Sequence, residues 1–170
     1  MGIEIVAATP ADYAAIHRLN EASTPHVSSF TPEELAALAA MCFDFSLVRD
    51  DEGAAAFLML MRPGQPYRSL NYLWFSDHYR NFVYIDRIAV AERVKGKGIG
   101  RALYQHAERI SCSLAPVLTC EVNLDPPNPD SLLFHRRMGF IEVGQQKTEG
   151  GTKTVSLLVK PLEQPSPRTP

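Results

Sequence analysis

The segment Val90, Ala91, Glu92, Arg93, Val94, Lys95, Gly96, Lys97, Gly98, Ile99, Gly100, Arg101 constrains this chain more than any other, because a strand-like run passes through three glycines into a helical pattern. Upstream, Phe82 to Val90 alternates, which puts Phe82, Tyr84, Asp86, Ile88 and Val90 on one strand face with Asp86 as the odd member. Downstream, Ile99, Ala102, Leu103, His106 and Ile110 recur at helical spacing, so His106 falls on the apolar stripe. A strand end that enters a helix this way suits an anion. Free N–H groups point out of the helix start, the macrodipole adds about half a positive charge, and glycine lets a phosphate approach the main chain. Lys95, Lys97 and Arg101 add cations in the same place. Taken alone, the loop is equally readable as a glycine-rich turn beside a solvated basic patch.

Two familiar phosphate loops fit poorly. A P-loop requires GxxxxGK followed by Ser or Thr, which this spacing does not give. A dinucleotide fingerprint could open on Gly96 and Gly98, with Glu121 near the end of the next strand, but its third glycine position holds Arg101, too large for close helix packing. Only one strand, helix, strand unit is visible.

The rest of the chain supplies a frame for that unit. Ile3 to Val6 reads as a short strand, and Thr9, Pro10, Ala11, Asp12 as a helix start. Thr31, Pro32, Glu33, Glu34 opens a second helix, with Leu35, Leu38, Ala39 and Cys42 on its apolar stripe. Phe43 to Val48 and Ala54 to Met61 read as an antiparallel pair joined through Asp50, Asp51, Glu52, Gly53. Pro63 to His78 is aromatic-rich without a clean period and is expected to be a long, partly structured excursion. Val117 to Val122 is a strand, and Asn128 caps a helix ending at Gly139. Ile141 to Lys147 and Thr152 to Lys160 form a last pair joined by Glu149, Gly150, Gly151. The expectation is a mixed α+β domain over residues 1–162 with a largely antiparallel sheet, followed by a disordered tail at 163–170.

Composition narrows the function classes. At 170 residues the chain can bury about 70% of its extended surface, so a core needs no staples. Seventeen basic against nineteen acidic side chains argue against nucleic acid or an anionic membrane as the main partner. Cys42, Cys112 and Cys120 form no CxxC pair, and His17, His26, His78 and His106 show no metal-ligand spacing, so neither a disulfide framework nor zinc is expected. No run reaches the length of a membrane span and the N-terminus lacks a secretory pattern, so a cytoplasmic protein is expected.

The glycine loop resembles motif A of the GCN5-related N-acetyltransferases (GNAT), which reads Arg or Gln, x, x, Gly, x, Gly or Ala about five residues beyond the strand. Lys95, Gly98 and Gly100 take those places, with Lys a mild departure. A frame shifted by two, on Arg93 and Gly96, would start the helix too early. Downstream, Asn128, Ser131, Phe134, His135, Gly139 and Phe140 resemble the family's second pattern of Asn, x, x, Ala, then an apolar residue and Tyr, closing on Gly-Phe. The resemblance implies the acyl-CoA N-acyltransferase fold, a six- to seven-stranded mixed sheet with about four helices. It also implies acetyl-CoA as co-substrate, an amine of a small molecule, amino acid or peptide as acceptor, and a homodimer as a family-level expectation.

The same resemblance implies site residues. The diphosphate would sit on the amides of Gly96, Lys97, Gly98, Ile99, Gly100 and Arg101, beside Lys95. The pantetheine would bond like an extra strand to the main chain of Ile88, Ala89 and Val90, with Asn128 and Ser131 beside the arm. An amine with a free pKa of about 10.4 must lose a proton before it attacks, so a base or a water chain is required. Asp86 is the first candidate, unless it merely pairs with Arg87; Glu121 is the alternative, and Tyr84 could position a water. His135 replaces the family's acid tyrosine and could protonate the thiolate, or it could be a plain helix histidine. Trp74, Phe75 and the segment 25–30 would wall the acceptor pocket, while Cys120 is expected in the core. Two further readings stand beside the enzyme: an acyl-CoA-binding regulatory module that lost the acid tyrosine, and a nucleotide-dependent oxidoreductase.

Overall fold

The structure, a computed structural model, describes residues 2–164. Residues 165–170 of the expected tail lie outside it. Gln164, also assigned to that tail, donates from Nε2 to the carbonyl of Ala115 at 3.1 Å. The chain divides into two compact units, one built from the chain up to Met61 with Ile85–His106, the other from Arg62–Tyr84 with the chain from Ala107 onward.

In the first unit, Thr9 and Pro10 open a 3-10 turn that runs into α1 (Tyr13–Ala22), and the Asp12 carboxylate accepts from the Thr9 N–H at 2.8 Å. Thr31 caps α2 (Pro32–Met41): its hydroxyl accepts from the Glu34 N–H at 3.2 Å, and the Glu34 carboxylate accepts from the Thr31 N–H at 2.7 Å. That reciprocal box is the one the sequence spells. The helix stops one residue before Cys42, which instead opens β2 (Cys42–Asp50). β2 turns through Asp51 and Glu52 into β3 (Gly53–Met61), and Gly53 takes a φ of +109°, a conformation that favours glycine. Leu47 lies opposite Phe57 in their antiparallel register. Every residue from Ala54 to Met61 is buried, as a continuous apolar run in a central strand should be. The first strand, β1 (Val6–Ala7), is shorter than expected: Ile3 is 40% exposed, so residues 3–5 gain little burial from extending the ladder.

Among the described residues the sheet has seven strands and five α-helices accompany it. The strand order is β1-β2-β3-β4 in the first unit, where β4 (Val83–Val90) contributes Ile85 onward. In the second unit it continues as β4-β5-β7-β6, with β5 (Val117–Asp125), β6 (Ile141–Thr148) and β7 (Lys153–Pro161). β4 and β5 pair in parallel, Val83 opposite Leu118 and Tyr84 opposite Thr119, while β5 with β7 and β7 with β6 are antiparallel. Parallel neighbours need a crossover, and α4 (Ile99–Ser111) is that crossover.

A fifth helix corrects the expected excursion after Pro63. α3 (Leu70–His78) is capped by the Ser69 hydroxyl, which accepts from the Tyr72 N–H at 3.4 Å. Asn71, Tyr72 and Phe75 are buried while Leu70 and Leu73 are 53% and 42% exposed. Apolar residues therefore surround the helix, and no one-sided stripe marks it in the sequence. The last helix, α5 (Pro129–Arg137), begins at Asn128 and is followed by Gly139 at φ +90°.

Candidate active site

The glycine loop lies in the first unit. From Val90 the chain makes a 3-10 turn over Glu92–Val94, and Gly96 and Gly98 then take φ of +77° and +81°. A Cβ built on either glycine meets nothing within 4 Å, so backbone conformation, not crowding by the protein, requires glycine there. The first hydrogen bond of α4 runs from the Ala102 N–H to the Gly98 carbonyl at 3.0 Å. The N–H groups of Gly98, Ile99, Gly100 and Arg101 thus precede the helical ladder and project from its positive end.

Around those amides, Lys95, Lys97 and Arg101 are exposed, with Lys95 paired to Glu92, and Ile99 is buried. The helix starts at Ile99, as the frame Lys95, Gly98, Gly100 requires. Arg93, the residue of the shifted frame, is engaged elsewhere. Its guanidinium forks onto Asp50 at 3.0 and 2.8 Å and reaches the Ala54 carbonyl at 3.2 Å, which ties the loop to the β2–β3 turn. Before the loop, Ile88 and Val90 are half-buried and Ala89 is buried.

The two candidate bases have different surroundings. Asp86, in the first unit, accepts from Arg87 Nε at 2.9 Å, and the two side chains are only 2% and 9% exposed. Glu121, in the second unit, accepts the Tyr84 hydroxyl on both carboxylate oxygens, at 3.0 and 2.9 Å. The parallel register explains that meeting: Tyr84 lies opposite Thr119, and Glu121 is two residues further along β5 on the same face. Tyr84 is fully buried among Tyr72 and Phe75, so the ring is fixed and its hydroxyl holds the half-buried carboxylate.

Asn128, Ser131 and His135 share α5 in the second unit. The Asn128 Oδ1 caps the helix by accepting from the Ser131 N–H at 3.4 Å, which leaves Nδ2 as the donor the cap does not use. His135 is 5% exposed and meets the rings of Phe134 and Phe140 edge-on. Its Nδ1 lies 2.7 Å from the Ser131 carbonyl, which can only accept, so Nδ1 carries the proton and Nε2 of the neutral ring is an acceptor. Burial pushes the imidazole below its usual 6.5, with the Ser131 carbonyl pulling weakly the other way. That direction opposes the acid role expected for it at neutral pH.

Other expected residues have structural posts. Phe75 is fully buried and Phe30 is 5% exposed. Trp74 stacks on His78 at 3.8 Å between ring centres. Cys120 is buried and its thiol is pushed well up by burial, as a core cysteine's should be. His106 finds polar partners there: its Nε2 lies 3.1 Å from the Ser46 hydroxyl and 3.5 Å from Asp44. Among the described residues, no three His, Cys, Asp or Glu side chains converge as a metal site would require, and no helix is long and apolar enough to cross a membrane.

Residues 13–140 match the family described as the Acetyltransferase (GNAT) family. The chain belongs to that family. Among curated proteins, an uncharacterized N-acetyltransferase, YesJ of Bacillus subtilis strain 168, is 30% identical over 103 residues. That match takes in 59% of this chain and 53% of YesJ, so the chain spans about half the length of the curated relative it matches. Two solved structures share the fold. Ard1 from Thermoplasma volcanium superimposes with a TM-score of 0.78 at 15% identity, covering 96% of this chain and 100% of that one. Arabidopsis thaliana NAA60, solved with a bisubstrate analogue, gives 0.76 at 17% identity, again covering 96% and 100%. The seven-stranded mixed sheet with five helices is thus the GNAT acyl-CoA N-acyltransferase fold, and acetyl transfer to amines is the family's general reaction.

Proposed function

We propose that this GNAT protein transfers an acetyl group from acetyl-CoA to a primary amine of a small molecule, amino acid or peptide by direct attack. The observation that carries the reading is the loop at 96–101. Two positive-φ glycines with open space above them lead into the positive end of a 13-residue helix, flanked by Lys95, Lys97 and Arg101. That arrangement suits a diphosphate. Ile88, Ala89 and Val90 would bond the pantetheine as an added strand, and Asn128 Nδ2 and Ser131 would serve its arm.

Glu121 is the proposed base. Asp86 is already engaged in an ion pair with Arg87 at 2.9 Å. The Tyr84 hydroxyl donates to both carboxylate oxygens of Glu121 and fixes its orientation. In the reaction the ammonium gives one proton to Glu121, the amine lone pair forms the C–N bond as the C–S bond breaks, and the nitrogen gives its second proton to solvent to leave the neutral amide. The thiolate then takes a proton from solvent. Orientation of the two reactants supplies the rest of the acceleration.

One observation favours a second reading, an acyl-CoA-binding regulatory module: the tyrosine position holds a buried histidine poised to remain neutral. The oxidoreductase reading is set aside by the family match. Free-thiol release from acetyl-CoA, measured against a panel of primary amines, amino acids and short peptides, decides between the first two. The enzyme reading expects release with at least one member of the panel. Tight acetyl-CoA binding without release across the panel would establish the regulatory module instead.

A further inference from the structure

We infer that Arg87 is a positioning residue for the acceptor amine, an inference that rests on the acetyl-transfer reading above. Arg87 stands on β4 between Asp86 and Ile88, one residue before the main chain proposed to hold the pantetheine. Its guanidinium reaches Asp86, Asn20, Ser28 and Phe30 within the first unit. Nε donates to Asp86 at 2.9 Å, Nη1 donates to Asn20 Oδ1 at 3.0 Å and to the Ser28 carbonyl at 2.9 Å, and Cζ lies 4.5 Å over the Phe30 ring.

Further anchors of residues 28–30 come from α1. Asn20, which is fully buried, donates from Nδ2 to the Ser28 carbonyl at 3.1 Å. Glu21 accepts the Ser29 hydroxyl at 2.7 Å and the Phe30 N–H at 3.3 Å, and His17 Nε2 meets the Phe30 carbonyl at 2.8 Å. Arg87 is the anchor in this set that reaches residues 28–30 from the cofactor strand. It therefore fixes the connection between α1 and α2 at the level of the acyl end of the cofactor, where an amine has to arrive in a defined orientation. A planar fork can do this and a lysine cannot, because an ammonium at Asp86 would lose the reach to Asn20 and Ser28 and the stacking on Phe30.

Arg87→Lys, assayed by free-thiol release with the best amine of the panel, should raise the acceptor KM about tenfold or more and leave the acetyl-CoA KM within twofold. Hydrogen exchange on the full chain should show faster exchange at residues 28–30 and unchanged exchange at 96–101. Asn20→Leu removes the α1 group that both Arg87 and the Ser28 carbonyl engage, leaves the Asp86–Arg87 pair intact, and should shift the acceptor KM in the same direction. A general loss of fold would move both KM values or neither, so the split separates positioning from stability. If the unaltered chain releases thiol but Arg87→Lys keeps its acceptor KM, the inference falls alone. If the unaltered chain releases none, the acetyl-transfer reading and the inference fall together.

Discussion

Glu121 and Tyr84 are joined by two short contacts to one hydroxyl, and that geometry divides their roles at the reacting amine. A base that accepts the amine's proton contributes about 10²–10⁴ to the rate. Glu121→Gln keeps the shape and the Tyr84 bond but removes the basicity, so kcat should fall at least about a hundredfold, with acetyl-CoA affinity held. Tyr84→Phe leaves the carboxylate in place without its fixed partner, and the smaller loss expected there, about tenfold or less, reports orientation alone. Steady-state kinetics on the two variants checks the order; equal losses would remove Glu121 from the base role. His135 gives a stability prediction with a definite sign. Its folded pKa is lowered, so the unfolded chain binds more protons, and the stability this group lends is present above about pH 6.5 and lost as pH falls from there through the lower folded value. The carboxylates with lowered pKa, Asp12, Glu21, Asp50 and Glu142, start from 3.8–4.5 and act in a more acidic window. Thermal midpoints of the native chain should therefore decline on acidification below about pH 6.5, with a shallower decline in His135→Phe. Because the thiolate is proposed to be protonated by solvent, the same variant should keep kcat within about tenfold at neutral pH.

At the level of elements, what the sequence reveals depends on whether a local rule and the tertiary environment agree. Thr31, Pro32 and Glu34 spell a capping box and the box forms, so α2 is legible residue by residue. The β2–β3 hairpin is legible for the same reason: its turn is polar and glycine-ended, β3 is a buried run, and β2 is buried over Ser46, Leu47 and Val48. α3 is not, because Leu70 and Leu73 stay exposed and erase the contrast between faces on which periodicity depends. The glycine loop is legible by spacing, whereas the Arg93–Asp50 fork that ties it to the hairpin is not, since the partners are 43 residues apart and each looks like an ordinary surface charge. Glu121 is a similar case. Spacing offers Asp86 first, and only the parallel register shows that Tyr84 reaches β5. A cap this local has a local cost. Thr31→Ala should destabilise the chain by about 1 kcal/mol and leave acetyl-CoA affinity unchanged. Chemical denaturation and calorimetry check the two halves separately.

For the whole molecule, ligand-linked stability is the property that joins the loop to the reaction, because any ligand bound only by the folded chain raises its unfolding free energy by mass action. Acetyl-CoA at a hundred times its dissociation constant should add about 2.7 kcal/mol. For a chain of this size each 1 kcal/mol moves the midpoint by about 2–4 °C, so a rise of about 5–11 °C is expected. NAD is the informative control, since it also carries an adenine nucleotide and a diphosphate. If the open amides of 98–101 and the cations beside them attracted any diphosphate, both ligands would shift the midpoint alike. If Ile88, Ala89 and Val90 bind the pantetheine as proposed, acetyl-CoA should shift it and NAD should not. Gly98→Val tests the loop in the same assay. Its Cβ meets no protein atom, but its φ of +81° is strained for any β-branched residue, by about 1–2 kcal/mol. The variant should thus start lower and lose most of the acetyl-CoA shift, as the backbone relaxes away from the conformation that aims the amides outward. A variant that started lower yet kept the full shift would mean the glycine serves the turn alone, and the diphosphate would have to be bound elsewhere.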